Sequence, residues 1–428
     1  MVVVVALVVL LILLLLSIPV AATLAALGLS LGSLYSSFPL YRAIGEISWT
    51  AGTDFLLLAI PLFVLLGEIL LRAGIAERTY RSLFLWLSWL PGGLLHANIA
   101  TSAMFAATSG SSVATAATIT TVALPQARKF GYAESLFCGS IAAGGTLGIL
   151  IPPSINLIVY GFLTNTSIPR LFLAGIVPGI LLAMMFMICI MVICLFNPKV
   201  AGLRQETNWT ERLESLKDIL PVFFIFFIVI GSIYAGFATP TESAALGVIA
   251  AMAIALFYRR VNLHMLREVV EGTMRTTAMI MLILLAAYFL NFILASVGLT
   301  SMLTEFVNHL GMSPMSTMAV IIVMYIVLGF FIETLSLMII TIPIVAPVVT
   351  GLGFDPIWFG VLLILLIEMA LITPPVGLNL YVVQGIRQRG SISDVMIGSL
   401  PFVGMILVMI VLMLVFPDMA LILAQYVN

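Results

Sequence analysis

Two short stretches constrain the fold more than anything else in this chain: "GGTLGILIPPSIN" at 144–156 and "ITPPVGLNL" at 372–380. Each sets adjacent prolines, with glycines close by, inside an apolar run. Proline removes a backbone donor and clashes with the preceding turn, and glycine exposes the backbone. In hydrocarbon every unsatisfied backbone group costs several kcal/mol, so such breaks persist only against protein or a water-filled cavity. A plain proline kink accounts for one break. Two breaks in matching positions ask for more.

The surroundings are those of a membrane protein. Only 8% of the 428 residues are charged and 63% are hydrophobic, against roughly 25% charged in a soluble domain. Apolar runs recur along the chain, each able to cross a hydrocarbon layer of roughly 30 Å. The first, from residue 1 to 28, lacks a basic leader and is too long for a signal core, so a retained membrane helix is expected. Further continuous spans are expected at 53–72, 169–196, 219–236, 242–258, 276–297 and 395–426. The spans 133–161 and 357–385 contain the Pro–Pro breaks. Two more apolar regions, 91–127 and 315–351, carry small or polar residues at their centres, and each is either two crossings or a re-entrant hairpin.

Charge sets the orientation. With the N-terminus cytoplasmic, only Arg42 and Arg170 fall in outside loops, leaving 15 of the 17 basic residues inside, as the positive-inside rule demands. The C-terminus is then periplasmic. Two short amphipathic helices, 76–89 and 262–270, are expected to lie along the inner surface.

An internal repeat ties the breaks together. A shift of 222 lays Pro125 on Pro347, Gly131 on Gly353, Phe137 on Phe359 and Pro152-Pro153 on Pro374-Pro375; a shift of 223 lays Asn156 on Asn379 and Pro178 on Pro401. The units are 1–196 and 242–428, joined by a charged linker and one extra helix at 197–241. That odd helix inverts the second unit. The expected fold is therefore an all-α polytopic membrane protein of two inverted-topology repeats, each with a re-entrant hairpin and a broken helix. Such repeats point to a secondary transporter with its site at their interface.

Hard cations take oxygen ligands. Ser109 and Ser112 of "SGSS", with carbonyls freed around Gly145, Gly148 and Ile151, form a candidate sodium site. By symmetry a second joins the carbonyls near Gly329 and Ala370 to the Thr373 hydroxyl and the Val376 carbonyl. The hydroxyls of Thr115, Thr118 and Thr121 are expected to bond back to their own helix. Among the carboxylates in apolar spans, Glu68 is expected to pair with Arg72 one turn on, and Glu242 to cap a helix with Thr239 or Thr241. Glu333, in the second hairpin tip, is open to a functional role. Asp54 and Glu368 remain unassigned.

Other chemistries find little support. Net charge is −1 and no basic tail is present, which leaves nucleic acid without a partner surface. Three histidines and three cysteines, the latter all in apolar segments, make no metal-ligand pattern, and no nucleophile–base pair of an enzyme is visible. An ion channel would also use broken helices; saturable counterflow of solute separates the two.

The set "SGSSVATAATI", "GGTLGILIPPSINLIVYG", "TPTESAAL", "GFDPIWFG" and "TPPVGLNLYV" resembles, in order and over essentially the whole chain, the large membrane subunit of tripartite ATP-independent periplasmic (TRAP) transporters. The resemblance implies sodium-coupled uptake of a small organic acid across a bacterial inner membrane by an elevator motion. It implies two partners: a periplasmic solute-binding protein and a small four-helix membrane subunit, the latter as a separate chain. Substrate would lie between the hairpin tips, near Ser111, Thr146, Asn156, Thr334 and Asn379. A stand-alone sodium- or proton-coupled anion carrier of a related two-hairpin family is the alternative.

Overall fold

The computed structural model describes residues 2–16, 18–203, 207–299, 302 and 311–425, without the side chains of 2–4, 7, 11, 14, 15 and 106–109. The described residues form helices and connecting turns only. Helices satisfy every interior backbone group within the segment, which is what hydrocarbon requires. In chain order they are α1 (Val2–Leu15), α2 (Val20–Tyr35), α3 (Ile44–Gly52), α4 (Ala59–Arg72), α5 (Ile75–Leu87), α6 (Gly93–Ser109), α7 (Ser112–Lys129), α8 (Glu134–Leu150), α9 (Ile155–Thr164) and α10 (Ile168–Phe196). Then follow α11 (Trp209–Tyr234), α12 (Pro240–Phe257), α13 (Leu263–Ser296), α14 (Pro314–Gly329), α15 (Thr334–Gly351), α16 (Pro356–Ile372), α17 (Leu378–Arg387), α18 (Ile392–Val415) and α19 (Asp418–Ala424). Eight of the described helical stretches are long and apolar enough to cross a membrane.

Three expectations need correction. The first apolar run is two helices, α1 and α2, with Pro19 at the N-cap of the second. Proline fixes a φ suited to a helix start and removes the donor that a continuous helix would need. The segment 262–270 is not a separate surface helix: it forms the first turns of the 34-residue α13, capped by Asn262. Gly272 is a weak helix former, but it lies where α13 meets α4, a Cβ there falling 2.6 Å from a Glu68 carboxylate oxygen, and the Arg267–Glu271 pair spaced four apart supports continuity. The run 395–426 stops at Val415, with Pro417 beyond it and the short α19 after.

Burial sorts the helices. In α16 every residue from Ile357 to Ile372 is buried, and in α8 every residue from Leu136 to Leu150. A helix apolar on all sides that is also buried on all sides belongs at the centre. By contrast only 28% of the most apolar window of α10 is buried, which leaves the rest for lipid. The centre closes through glycine: a Cβ on Gly139 would lie 2.1 Å from the Gly398 carbonyl carbon, and one on Gly398 would lie 2.0 Å from the Ser135 oxygen. Small residues let α8 and α18 approach to backbone contact.

At one end of this contact, Arg387 is only 6% exposed and bonds Glu134 (2.7 Å) and Asp394 (3.2 Å), while Arg128 reaches Glu134 (3.1 Å) and the Arg387 carbonyl (3.1 Å). This cluster ties α7 and α8 to α17 and α18. Elsewhere α2 packs along α13, where a Cβ on Gly28 would lie 2.9 Å from the Phe289 ring. Glu68 pairs with Arg72 as expected, and Arg72 also meets Glu268 of α13 at 3.3 Å.

Candidate functional site

The site begins with what the prolines take away. In a helix the carbonyl of residue i accepts from the N–H of residue i+4. Pro152 and Pro153 hold the i+4 positions for Gly148 and Ile149, and Pro374 and Pro375 hold them for Ala370 and Leu371. All four carbonyls therefore lose their intrahelical donor. Helix α8 ends where the Ile151 N–H bonds the Leu147 carbonyl, and α9 restarts under the Ser154 side chain, which accepts from the Leu157 N–H. Likewise α16 ends at Ile372, and α17 restarts after Gly377, whose φ of 46° favours a residue without a Cβ.

A hairpin tip is set against the first break. Helix α6 turns into α7 through Gly110, with φ of 59°, and Ser111 caps α7 through the Ala114 N–H. A Cβ on Gly148 would touch the Ser111 carbonyl carbon and oxygen at 3.3 Å and the Ser112 nitrogen at 3.4 Å. A Cβ on Gly145 would lie 3.1 Å from the Ser112 carbonyl oxygen and 3.1 Å from Asn379 Nδ2. Glycine at both places is thus what admits the tip. Thr115, Thr118 and Thr121 bond carbonyls of their own helix, as the sequence implies.

Asn379 crosses between the units. Fully buried in the first turn of α17, its amide donates to Ser112 Oγ at 2.7 Å and to the Ala142 carbonyl at 3.0 Å. Its Oδ1 is buried and without a partner among the described residues, as is Nδ2 of the repeat-related Asn156. These two atoms are free to meet a ligand.

The expected residues sort as follows. Ser111, Ser112, Gly145, Gly148 and Asn379 come together, and Ile151 ends the helix beside them. The side chain of Ser109 lies outside the described residues. Thr146 is buried, and its hydroxyl bonds the Ala143 carbonyl in its own helix, so it is committed locally. In the second unit Gly329 packs on Ala370, where an added Cβ would lie 2.4 Å from the Ala370 Cβ. The Thr373 hydroxyl bonds the Met369 carbonyl at 2.5 Å, and Val376 is 37% exposed. Thr334 bonds Glu333. No hydrogen bond among the described residues links Thr334 to the Ser112–Asn379 cluster.

Glu333 itself caps α15: its carboxylate accepts from the N–H groups of Leu335 and Ser336 and from the Ser336 hydroxyl. Glu242 makes the expected capping box, with Thr239. Sequence reasoning missed the bridge from Asn379 to Ser112 and the Arg387 cluster. The only signals were the Asn156–Asn379 repeat match and an arginine closing the second broken helix.

Two of the cavities that flank the bundle are lined by carboxylates. One of about 920 Å³ lies between α5, α7 and α11 and is lined by Glu77, Arg81, Gln126, Lys129, Glu214 and Asp218. The other, about 500 Å³, lies at the opposite end of α13 against α3 and is lined by Glu46, Asp54 and Tyr288.

The chain is 33% identical to the C4-dicarboxylate TRAP transporter large permease protein DctM of Vibrio cholerae, over 91% of this chain and 92% of that one. It is 33% identical to the sialic acid TRAP transporter large permease protein SiaM of the same organism, over 87% of each. The crystal structure of the Alcanivorax borkumensis YdaH transporter shares the fold, with a TM-score of 0.61 at 16% identity over 95% of this chain and 98% of that one. The family model for the tripartite ATP-independent periplasmic transporter DctM component matches residues 7–419. The chain is a multi-pass membrane protein, a transporter permease and not an enzyme, and it belongs to the DctM family of TRAP transporter large permeases.

Proposed function

We propose that this chain drives sodium-coupled uptake of a small organic acid across a bacterial inner membrane, with its N-terminus cytoplasmic and its C-terminus periplasmic. The observation that carries the sodium reading is the pair of proline breaks. Each leaves two carbonyls without helical donors, and at the first break Gly148, which bears one of them, packs against the Ser111–Ser112 tip. Carbonyl and hydroxyl oxygens are the ligands of a hard cation. One ion sits at Ser112, Gly145, Gly148 and Ile151, and a second at Gly329, Ala370, Thr373 and Val376.

The solute lies between the tips, where Asn156 Nδ2 and Asn379 Oδ1 are unsatisfied: a carboxylate oxygen would accept from the first and a hydroxyl would donate to the second. Each sodium entering down 100 mV contributes roughly 2.3 kcal/mol. Two ions with one monovalent anion carry net positive charge, so the potential drives uptake too. The bonded unit of α6–α9 with α14–α18 moves as an elevator against the α2–α5 and α11–α13 scaffold. The cavity between α7 and the α5–α11 pair supplies a route to the basic side.

The family is tripartite and its relatives here are large permeases, which supports two partners. These are a periplasmic protein that delivers the solute and a separate small four-helix membrane subunit. The inverted repeats at 1–196 and 242–428 fit the same reading.

The test is thermal unfolding of the purified membrane complex in NaCl against matched KCl and choline chloride, since a ligand of the folded state raises its stability. Sodium alone should raise the midpoint, and Ser112→Ala and Thr373→Ala should each remove part of the rise. Equal midpoints in the three salts would overturn sodium coupling.

A further inference from the structure

Two adjacent arginines stand at the basic end of the bundle without a partner. Helix α12 ends at Phe257, and the chain turns through Tyr258, Arg259 and Arg260 before Asn262 caps α13. The Arg259 N–H bonds the Leu256 carbonyl and the Arg260 N–H the Ala255 carbonyl, so the backbone alone closes the turn. Both side chains are exposed, and neither has an ion pair or hydrogen bond among the described residues. Arg259 sits in the left-handed region, with φ of 53°. Glycine or asparagine is the usual occupant of such a helix end, because a Cβ is disfavoured there. A strained position that nonetheless keeps a long cationic side chain points to a use for the cation.

What surrounds the turn is apolar and faces outward. Leu246, Ile249, Leu256 and Phe257 lie on one exposed stripe of α12; Phe257 is 82% exposed, and Leu263, which opens α13, is 84% exposed. Helix α11 runs antiparallel beside α12, with Val229 against Gly247, and this register sets the exposed Leu220 level with Leu256. In a chain that spans a membrane such a stripe meets acyl chains, and arginines that follow it reach headgroup depth.

Neighbouring helices hold the turn and use up the nearby carboxylates. Arg78 of α5 lies over the Tyr258 ring at 4.3 Å and pairs with Asp218 of α11 at 3.4 Å. On α13, Glu268 meets Arg72 and Glu271 meets Arg267. Glu214 of α11 lines the cavity toward α7.

A guanidinium presents paired donors that match two phosphate oxygens, and one set beside an outward apolar stripe matches a phosphate that carries acyl chains. We propose that Arg259 and Arg260 bind the phosphate of an anionic phospholipid, whose acyl chains lie against Leu220, Leu256 and Phe257. Basic patches at this depth recognise anionic headgroups. A soluble phosphate would leave the apolar stripe unused, and a zwitterionic lipid would bring its own ammonium to the arginines. The inference is independent of the sodium and solute readings.

The test follows the unfolding midpoint of the purified membrane complex in neutral detergent as phosphatidylglycerol, phosphatidylcholine or inorganic phosphate is added. Phosphatidylglycerol should raise the wild-type midpoint, and the other two should not. One arginine beside an anionic headgroup is worth about a fivefold change in affinity. Arg259→Gln combined with Arg260→Gln should therefore raise the phosphatidylglycerol concentration for half-maximal stabilisation about thirtyfold. Arg389→Gln, at an exposed arginine of the same end, should leave it unchanged. Arg259→Gly covers the case in which the double variant fails to fold. Glycine suits a φ of 53°, so its midpoint without lipid should match or exceed that of wild type. Its half-maximal concentration should still rise about fivefold. No rise with phosphatidylglycerol, equal curves for wild type and the Arg259 variants, or an equal loss in Arg389→Gln would overturn the proposal. A rise with inorganic phosphate alone would make the site one for free anions, and an equal rise with phosphatidylcholine would remove the charge selection; either overturns it.

Discussion

Asn379→Ala is the sharpest probe of the candidate site. The amide makes two hydrogen bonds, to Ser112 Oγ at 2.7 Å and the Ala142 carbonyl at 3.0 Å, in a fully buried setting. A neutral hydrogen bond contributes about 0.5–1.5 kcal/mol net, and leaving a buried partner unsatisfied costs about 1–3 kcal/mol. The whole substitution should therefore destabilise the chain by about 2–4 kcal/mol. On the proposed sodium reading, affinity should feel only the Ser112 half, about 1–2 kcal/mol, because the Ala142 carbonyl lies six residues, more than one and a half turns, before the tip contact at Gly148. At about 1.4 kcal/mol per factor of ten, that is a rise of roughly 5–30-fold in the NaCl concentration giving half-maximal thermal stabilisation. The assay is a NaCl series of unfolding midpoints for wild type, Asn379→Ala, Ser112→Ala and the double variant. If the amide acts through the serine, the double variant matches Ser112→Ala, since residues in one network do not add. Unchanged half-maximal NaCl in Asn379→Ala, or strictly additive effects, would refute the argument.

Two further outcomes follow from the packing. Gly398→Ala places a Cβ 2.0 Å from the Ser135 backbone oxygen, where no flexible side chain can yield. It should cost about 1–3 kcal/mol or more by forcing α8 and α18 apart, read as a lowered midpoint in every salt, whereas Gly404→Ala, with nothing within 4 Å, should be silent. Arg387→Met leaves Asp394 without its cation and Glu134 with Arg128 alone. The partners keep some water, so the loss should be about 2 kcal/mol, below the 3–5 kcal/mol of a fully buried pair. The midpoint should fall, with the sodium increment unchanged.

The two breaks and the two hairpins were legible because proline and glycine leave few alternatives in hydrocarbon: Pro152 and Pro374 each force a carbonyl to seek another partner. Local side-chain chemistry was legible for the same reason, as with Thr239 and Glu242 or Glu68 and Arg72, whose partners lie within one turn. What sequence could not give is who meets whom across long separations. Asn379 and Ser112 are 267 positions apart, and nothing in either neighbourhood names the other. Thr146 and Thr334 show the converse limit. Each hydroxyl has the right composition for a site, and each is bound next door, to Ala143 and Glu333. The continuity of α13 was missed because amphipathic character at 262–270 describes a face and carries no information about where a helix ends.

These partnerships bear on how two breaks can act as one device. On the proposed reading Ser112 offers its hydroxyl to the first ion, and the amide that donates to that hydroxyl belongs to α17, the second half of the other broken helix. Movement at the 373–377 loop would on that reading reach the first ion through one amide, with no need of a long chain of contacts. The Gly139–Gly398 contact and the Arg387 cluster tie the same helices together at backbone range. On the same reading, a unit with both breaks inside it would load its ions together or lose them together. Coupling through such a unit needs only that solute and ions favour the same arrangement of Asn379, because a ligand shifts an equilibrium by its differential affinity and by nothing else.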